Sequence, residues 1–254
     1  MVLELSYLQS SPLLIVLLIA TFGANAPASD SSEIVSIAPP ALAFARYVAY
    51  VSQRSPFTES GPIRIDIDAS LPGLGKEASM SAIRDSAPSE RSQYKVLQLT
   101  GDPTVKREVI ARYLSAQTQA EALPLSSTVI TPANYKFRYT GSTQVLGTRL
   151  YVFQITPRKK RIGLIQGQIW IDPITGIAVR EAGHFVKRPS VFLRRVEITR
   201  DTFLCDGLPY IRVTHTAIQM PLRALRAELT ITERRSGAPD PAVPSQLKSE
   251  KGRP

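Results

Sequence analysis

The side chains here that could do chemistry are few and scattered. There are two histidines, His184 and His215, and one cysteine, Cys205. Two carboxylates, Asp66 and Asp68, sit at strand spacing in "IRIDIDA" (63–69). Metal ligation needs several such groups converging, and two separated histidines with a lone cysteine are a poor supply. No HExxH, CxxC or GxSxG pattern occurs, and no Gly-rich loop leads into a helix. Asp66 and Asp68 can chelate a cation or act as a pair. Their place on the polar side of an amphipathic strand, beside Arg64, reads more simply as a solvated face. Cys205 in "FLCDGLP" reads as an inert residue at a strand end. The expectation is a protein with no catalytic residues, no metal and no cofactor.

The other chemistry on offer is charge. Lys and Arg total 31 against 21 Asp and Glu, a net charge of +10. Such a balance speaks to partners and solubility rather than fold. Its densest point is "RKKR" (158–161), followed by an alternating run that holds the one tryptophan, "IGLIQGQIWIDPITG" (162–176). No helix-turn-helix, RNP or zinc signature accompanies it, so nucleic acid is not the expected partner.

The elements that must carry these residues follow from periodicity. "PPALAFARYVAYVSQ" (39–53) predicts a helix with Leu42, Ala45, Val48 and Ala49 on one face. "IRIDIDA" alternates as a half-buried strand, and two weaker strands follow at 76–84 and 92–99. "GDPTVKREVIARYLSAQTQAEAL" predicts a helix capped by Asp102, with Pro103 in its first turn. Val105, Val109, Ile110, Tyr113 and Leu114 form its stripe, and it ends near Gln119. "PLSSTVITPAN" reads as loop. Strands are then expected at 134–140, 149–156, 162–171, 177–187, 191–202, 209–219 and 225–233, with turns at Asp172–Gly176 and Asp206-Gly207. Connections this short force antiparallel neighbours.

A meander puts alternate connections at the same end. The loops at 157–161, 187–190 and 220–224 therefore share one end, and those at 172–176 and 203–208 the other. The first end would gather Arg158, Lys159, Lys160, Arg161, Lys187, Arg188 and Arg223, with Arg194 and Arg195 close by. The second carries Asp172 and Asp206. Solvated hairpin tips explain each basic loop by itself. Three together suit an anionic membrane surface or an acidic protein partner.

The strands also offer apolar faces. Ile63, Ile65 and Ile67 mark one; Tyr151 and Phe153, Val179 and Phe185, and Leu229 and Ile231 mark others. In 162–171 both faces are apolar, with Leu164 and Trp170 on one and Ile165, Ile169 and Ile171 on the other. Such a strand is covered on both sides or faces a cavity for a hydrophobic ligand. The plainer alternative has the two helices cover the face with no ligand.

"YVFQITPRKKRIGLIQGQIWIDPITGIAVRE" (151–181), followed by "FLRRVEI" (192–198), resembles the LolA-like superfamily. That group includes periplasmic lipoprotein carriers, the N-terminal domain of RseB/MucB-type envelope-stress regulators and outer-membrane lipoprotein-sorting proteins. The resemblance spans about 60–233. It implies an α+β, mainly β fold: an unclosed antiparallel β-barrel, a half-barrel meander covered by helices. It also implies a non-enzymatic role in binding lipid or lipoprotein acyl chains on the apolar concavity, or a regulatory interaction with an envelope protein. No residue matches the arginine that latches the lid in the carriers.

The N-terminus points to export. "PLLIVLLIATFGA" (12–24) is too short an apolar run to span a bilayer, and small residues follow in "ANAPAS". The division expected is a signal peptide over 1–28, a linker over 29–37, the domain over 38–235 and a Pro- and Ser-rich disordered tail over 236–254. The n-region holds Glu4 and no base, which also suits an uncleaved anchor or a misplaced start. The destination expected is the periplasm.

Overall fold

The structure is a computed structural model that describes residues 38–53, 62–85, 93–121, 123–145, 148–187, 195–219 and 226–235. All of these lie in one compact unit, Ile37–Pro254. The expected signal segment, linker and tail lie outside the described residues, as do Arg188, Arg194 and Arg223.

Among the described residues ten antiparallel strands form a single open sheet. They are β1 (Ile63–Leu71), β2 (Lys76–Asp85), β3 (Gln93–Gly101), β4 (Tyr135–Val145), β5 (Thr148–Pro157), β6 (Ile165–Ile171), β7 (Ala178–Phe185), β8 (Arg195–Cys205), β9 (Leu208–Gln219) and β10 (Arg226–Arg235). Their order is β3-β2-β1-β10-β9-β8-β7-β6-β5-β4, so the expected meander from β4 to β10 holds and the first three strands extend it. The join is β1 against β10, with Ile67 opposite Ile231. The ends, β3 and β4, do not pair with each other, and the sheet stays unclosed.

Turn chemistry sets the register. At the β8–β9 hairpin Asp206 (φ 51) and Gly207 (φ 74) both take left-handed conformations between the Cys205–Leu208 pair. Two left-handed central residues are what a tight hairpin turn that follows the twist of its strands requires.

Among the described residues four α-helices accompany the sheet: α1 (Pro40–Gln53), α2 (Pro103–Val105), α3 (Ala111–Glu121) and α4 (Leu125–Thr128). The Asp102 carboxylate caps α2, accepting from the Thr104 and Val105 amides at 2.7 and 3.3 Å. A π turn over Lys106–Ile110 joins α2 to α3, where the sequence predicted a uniform helix. The predicted stripe nevertheless packs as one surface. Val105, Val109 and Ile110 are buried, and Tyr113 and Leu114 lie against the same core. α4 is a short turn of helix inside the stretch read as loop.

The packed face of α1 differs from the expected one. Ala43 and Tyr47 are buried, and Phe44, Val48 and Val51 lie against the core, whereas Leu42, Ala45 and Ala49 are exposed. Phe44 and Tyr47 offer more area to bury than two alanines and a leucine, and they rotate the stripe toward themselves. The Phe44 ring lies tilted against those of Phe137 and Phe153, at centroid distances of 4.9 and 5.4 Å.

Candidate functional site

The register links one side chain per strand into a row across the whole sheet: Leu99, Met80, Ile67, Ile231, Thr214, Arg200, Glu181, Ile169, Phe153 and Tyr139. Paired residues point to the same side of a sheet, so this row defines one face. Both helical layers pack on it. Val105, Val109 and Ile110 lie against the β1, β2 and β10 half, and Ala43 and Tyr47 against the β4–β7 half. We call it the inner face.

Of the apolar candidates Ile63, Ile65, Ile67, Tyr151, Phe153, Leu164, Trp170, Val179, Phe185, Leu229 and Ile231, nine line its core or margin. Ile63, Ile65, Ile67, Leu229 and Ile231 belong to the first half, and Tyr151, Phe153 and Leu164 to the second. Phe185 packs at the margin of the second half. Leu164 does so from a turn rather than a strand, because β6 begins at Ile165. Val179 is the extra residue of a bulge, where Trp170 pairs with Arg180 but Ile171 with Ala178. Trp170 lies on the outer face, between Val152 and Arg180. The alternation within 165–171 was legible; the side with the three isoleucines faces inward.

The inner face is covered in this conformation. Ile155, Ile169 and Ile171 are fully buried, and Ile63, Ile67, Leu229 and Ile231 are 1–2% exposed. Burying each such side chain contributes roughly 1.5–3 kcal/mol. The cover on the second half is held by polar tethers. Arg46 donates to the Pro173 carbonyl at 2.5 Å, Tyr47 Oη to the Ile130 carbonyl at 2.7 Å, and Tyr151 Oη to the Ala38 carbonyl at 2.7 Å. The "DPITG" turn is thus a docking pad for α1 as well as a hairpin. Asp172 shapes it by accepting from the Ile174 and Thr175 amides at 2.7 and 2.9 Å.

Between the apolar halves lies a band of buried and half-buried charge that the sequence reading missed. Arg84 (β2) pairs with Glu233 (β10) at 3.0 Å, and Arg200 (β8) with Glu181 (β7) at 2.7 Å. Arg212 (β9) stands opposite Glu233 on one side and Thr202 on the other. The alternation carried the signal. Glu233 is in phase with Leu229 and Ile231, and Arg84 with Met80 and Ala82. Each is the last residue of a stretch predicted as a strand, 76–84 and 225–233.

Burial and neighbouring charge act on this band in opposite directions. At Arg200 burial disfavours the charge, but Glu181 and Glu233 outweigh it and raise the pKa. At Arg212 burial, reinforced by Arg200, lowers the pKa to about 10. Tyr47 from α1 and Tyr113 from α3 are both raised, first by burial and then by Glu181 and Glu233 respectively. Tyr135 is pushed up to about 12, mainly by burial, although its Oη accepts the Ile165 amide. A tyrosine whose folded pKa exceeds its unfolded value of about 10 binds more protons when folded above that pH, so stability falls as pH rises. For Tyr135 the loss between about pH 10 and 12 is of order 2–3 kcal/mol. In a tyrosinate absorbance titration, Tyr47, Tyr113 and Tyr135 should ionise late and together with unfolding. Ordinary titration of all nine tyrosines in the folded protein would contradict the burial.

The remaining candidates lie elsewhere and do not converge. Asp66 and Asp68 are on the outer face, where Ser81 donates to Asp66 at 2.5 Å and Arg64 lies 3.4 Å away. His215 Nδ1 meets Thr230 Oγ1 at 3.1 Å, and His184 lies opposite Gln166 and Glu197. Cys205 is half-buried beside the Asp206–Gly207 turn. Among the described residues no three His, Cys, Asp or Glu side chains gather to hold a metal.

Lys159, Lys160, Arg161 and Lys187 are exposed at the end of the sheet reached by β5 and β7. Arg158 departs from the solvated-tip reading. Its Nε donates to the Pro132 and Tyr135 carbonyls at 2.8 and 3.2 Å, fastening the segment before β4. Arg195 pairs with Glu197 at 2.9 Å. At the opposite end Asp172 is buried in its turn, leaving Asp206 as the exposed acid of the two.

No helix among the described residues is long and apolar enough to cross a membrane. No family model matches the chain, and no curated protein matches it. Among solved structures it is similar to a DUF1329-family protein from Desulfovibrio piger, at 12% identity and a TM-score of 0.37, covering 80% of this chain and 95% of that one. A LolA-superfamily protein from Nitrosomonas europaea matches at 12% identity and a TM-score of 0.33, covering 78% and 95%. An outer-membrane lipoprotein-sorting protein domain from Vibrio parahaemolyticus matches at 9% identity and a TM-score of 0.30, covering 76% and 94%.

Proposed function

We propose that the protein is an exported, non-enzymatic binder of acyl chains, which lie on the inner face when the helices lift. One observation carries this reading. A single face of an open sheet presents two apolar stretches, one on either side of a charged band, and each is closed by helices instead of a second sheet. A second sheet would cover that face with a continuous ladder. Helices cover it in separate pieces, and α1 holds its place partly through a few replaceable hydrogen bonds. Displacing one piece exposes an apolar trough without breaking any strand pairing. The cargo would be a lipid or the acyl group of a lipoprotein, and the working place the periplasm. The candidate contacts are Ile63, Ile65, Ile67, Tyr151, Phe153, Leu164, Val179, Phe185, Leu229 and Ile231.

Mass spectrometry of protein purified without detergent tests this reading. Co-purified lipid, or uptake of added fatty acid after delipidation, is the expected result. Repeated recovery of lipid-free protein that takes up nothing would overturn it.

The exposed basic end fits the same role. Lys159, Lys160, Arg161 and Lys187 would orient the protein toward anionic headgroups at about 1 kcal/mol per charge near the surface. Reversing Lys159, Lys160 and Arg161 to glutamate should reduce sedimentation with phosphatidylglycerol vesicles by at least about tenfold at low salt. Binding that is indifferent both to this change and to added salt would mean the end plays no part.

A further inference from the structure

We propose that β3 is a dimer-forming edge. Two copies of the chain join β3 to β3, antiparallel about a two-fold axis, into one sheet that runs through both molecules. This surface is separate from the helix-covered part of the inner face, and the proposal holds or fails independently of any cargo.

β3 ends the sheet, and among the described residues no strand pairs with its outward side. An edge strand offers a row of backbone N–H and C=O groups to any further strand, and proteins ordinarily blunt it with charge, proline or a distorted backbone. β4, at the opposite edge, follows that practice. It carries Lys136 and Arg138, both exposed, and a bulge between Tyr139 and Gly141 breaks its ladder. β3 is open by comparison. Its sequence, "QYKVLQLTG", holds no proline and a single charge, Lys95. Val96 and Leu97 are each 50% exposed and Leu99 is 45% exposed. No other described strand leaves three large apolar side chains so open.

The pairing of β3 with β2 names the occupant. Val96 lies opposite Ala82 and Leu99 opposite Met80, both in the inner-face core, so Val96 and Leu99 point inward. Lys95 lies opposite Ile83 and Thr100 opposite Ser79, which puts both on the outer face. Leu97 is the extra residue of a bulge, since Ala82 pairs with Val96 but Ser81 with Gln98. The bulge shifts the alternation by one residue, and this makes the strand self-complementary. With the two-fold axis between Leu97 and Gln98, Val96 of each copy stands opposite Leu99 of the other, inner face against inner face. Lys95 of each copy stands opposite Thr100 of the other, on the outer face. Directly opposite side chains are the unit of sheet stabilisation, and here the apolar ones meet apolar partners.

Charge permits the same arrangement. In this register the two copies of Lys95 stand about 17 Å apart along the strands. That exceeds the screening length of about 8 Å at physiological salt, so a chain of net charge +10 can approach its copy here without a cation facing a cation. Both copies use the same surface, so assembly closes at two. The chain's own C-terminal residues suit the edge less well, because Pro239, Pro241 and Pro244 have no N–H to donate to a ladder.

Sedimentation velocity of the full chain over a rising concentration series tests this, and should show a reversible monomer–dimer equilibrium. Leu99→Lys puts a lysine opposite Val96 at both symmetric positions and should weaken the dimer about tenfold or more. Thr100→Lys sets a cation against Lys95 twice and should also weaken it, whereas Thr100→Glu should tighten it. Adding Lys95→Glu to Thr100→Lys should restore the dimer. A response that follows the sign of the charge at an exposed position reports the register and not a failure to fold. Val145→Lys, on the β4 edge, should leave the equilibrium unchanged. A monomer at every concentration overturns the proposal, whether the edge is bare or filled by a segment of the same chain. So does a dimer indifferent to Leu99→Lys and to the sign of the charge at Thr100, a dimer lost in Val145→Lys, or association that runs on past two copies.

Discussion

Replacing Glu233 by alanine is expected to lower the unfolding free energy by about 3–5 kcal/mol. Glu233 meets Arg84 at 3.0 Å with both side chains little exposed, at 13% and 10%. Its loss removes the carboxylate that pairs with Arg84 and stands opposite Arg212. An uncompensated buried charge costs far more than the pair gained when it formed. The paired replacement Arg84→Met with Glu233→Met should recover most of the loss, because it removes both charges and keeps the volume. Urea denaturation of the three proteins measures the difference. A loss below about 1 kcal/mol for the alanine variant would mean that water reaches the band freely, as it does for exposed pairs.

Gly176→Ala is expected to loosen α1 while sparing the far half of the sheet. Gly176 has φ 73, a left-handed conformation that costs a non-glycine residue about 1–2 kcal/mol. A Cβ there would also stand 2.6 Å from Arg46 Cβ and 2.7 Å from the Arg46 carbonyl carbon. The helix backbone must move away to admit it. The total should be about 2–4 kcal/mol, with the Arg46 bond to Pro173 lost. Hydrogen exchange should show α1 unprotected while β1 and β2 remain slow. In the acyl-binding account the same variant takes up fatty acid faster. Unchanged protection in α1 would refute the docking-pad role of the turn.

The sequence made local structure legible where a period was clean. The alternation in 63–69 and the Asp102-Pro103 start each gave an element close to its final bounds. The meander was legible because short connections leave antiparallel neighbours as the only option. The partner of β1 was not. Its pairing with β10 joins residues about 165 positions apart, and no local pattern encodes such a contact. The face of α1 was misread because counting apolar positions gave alanine the same weight as phenylalanine. Trp170 was misassigned for a related reason: in a strand apolar on both sides, alternation cannot say which side meets the helices. The charge band went unnoticed because Arg200, Arg212 and Glu181 each look like ordinary polar positions. Only the register brings them beside Arg84 and Glu233.

The central claim is that hydrocarbon lies on the inner face, beneath the helices. Stearate carrying a nitroxide on its chain reports this directly, by broadening methyl signals of nearby residues. The account predicts loss of the Ile67, Ile231 and Ile169 signals, which share the inner row, with Val213 on the outer face retained. Broadening confined to the outer face, or none at saturating stearate, would contradict it.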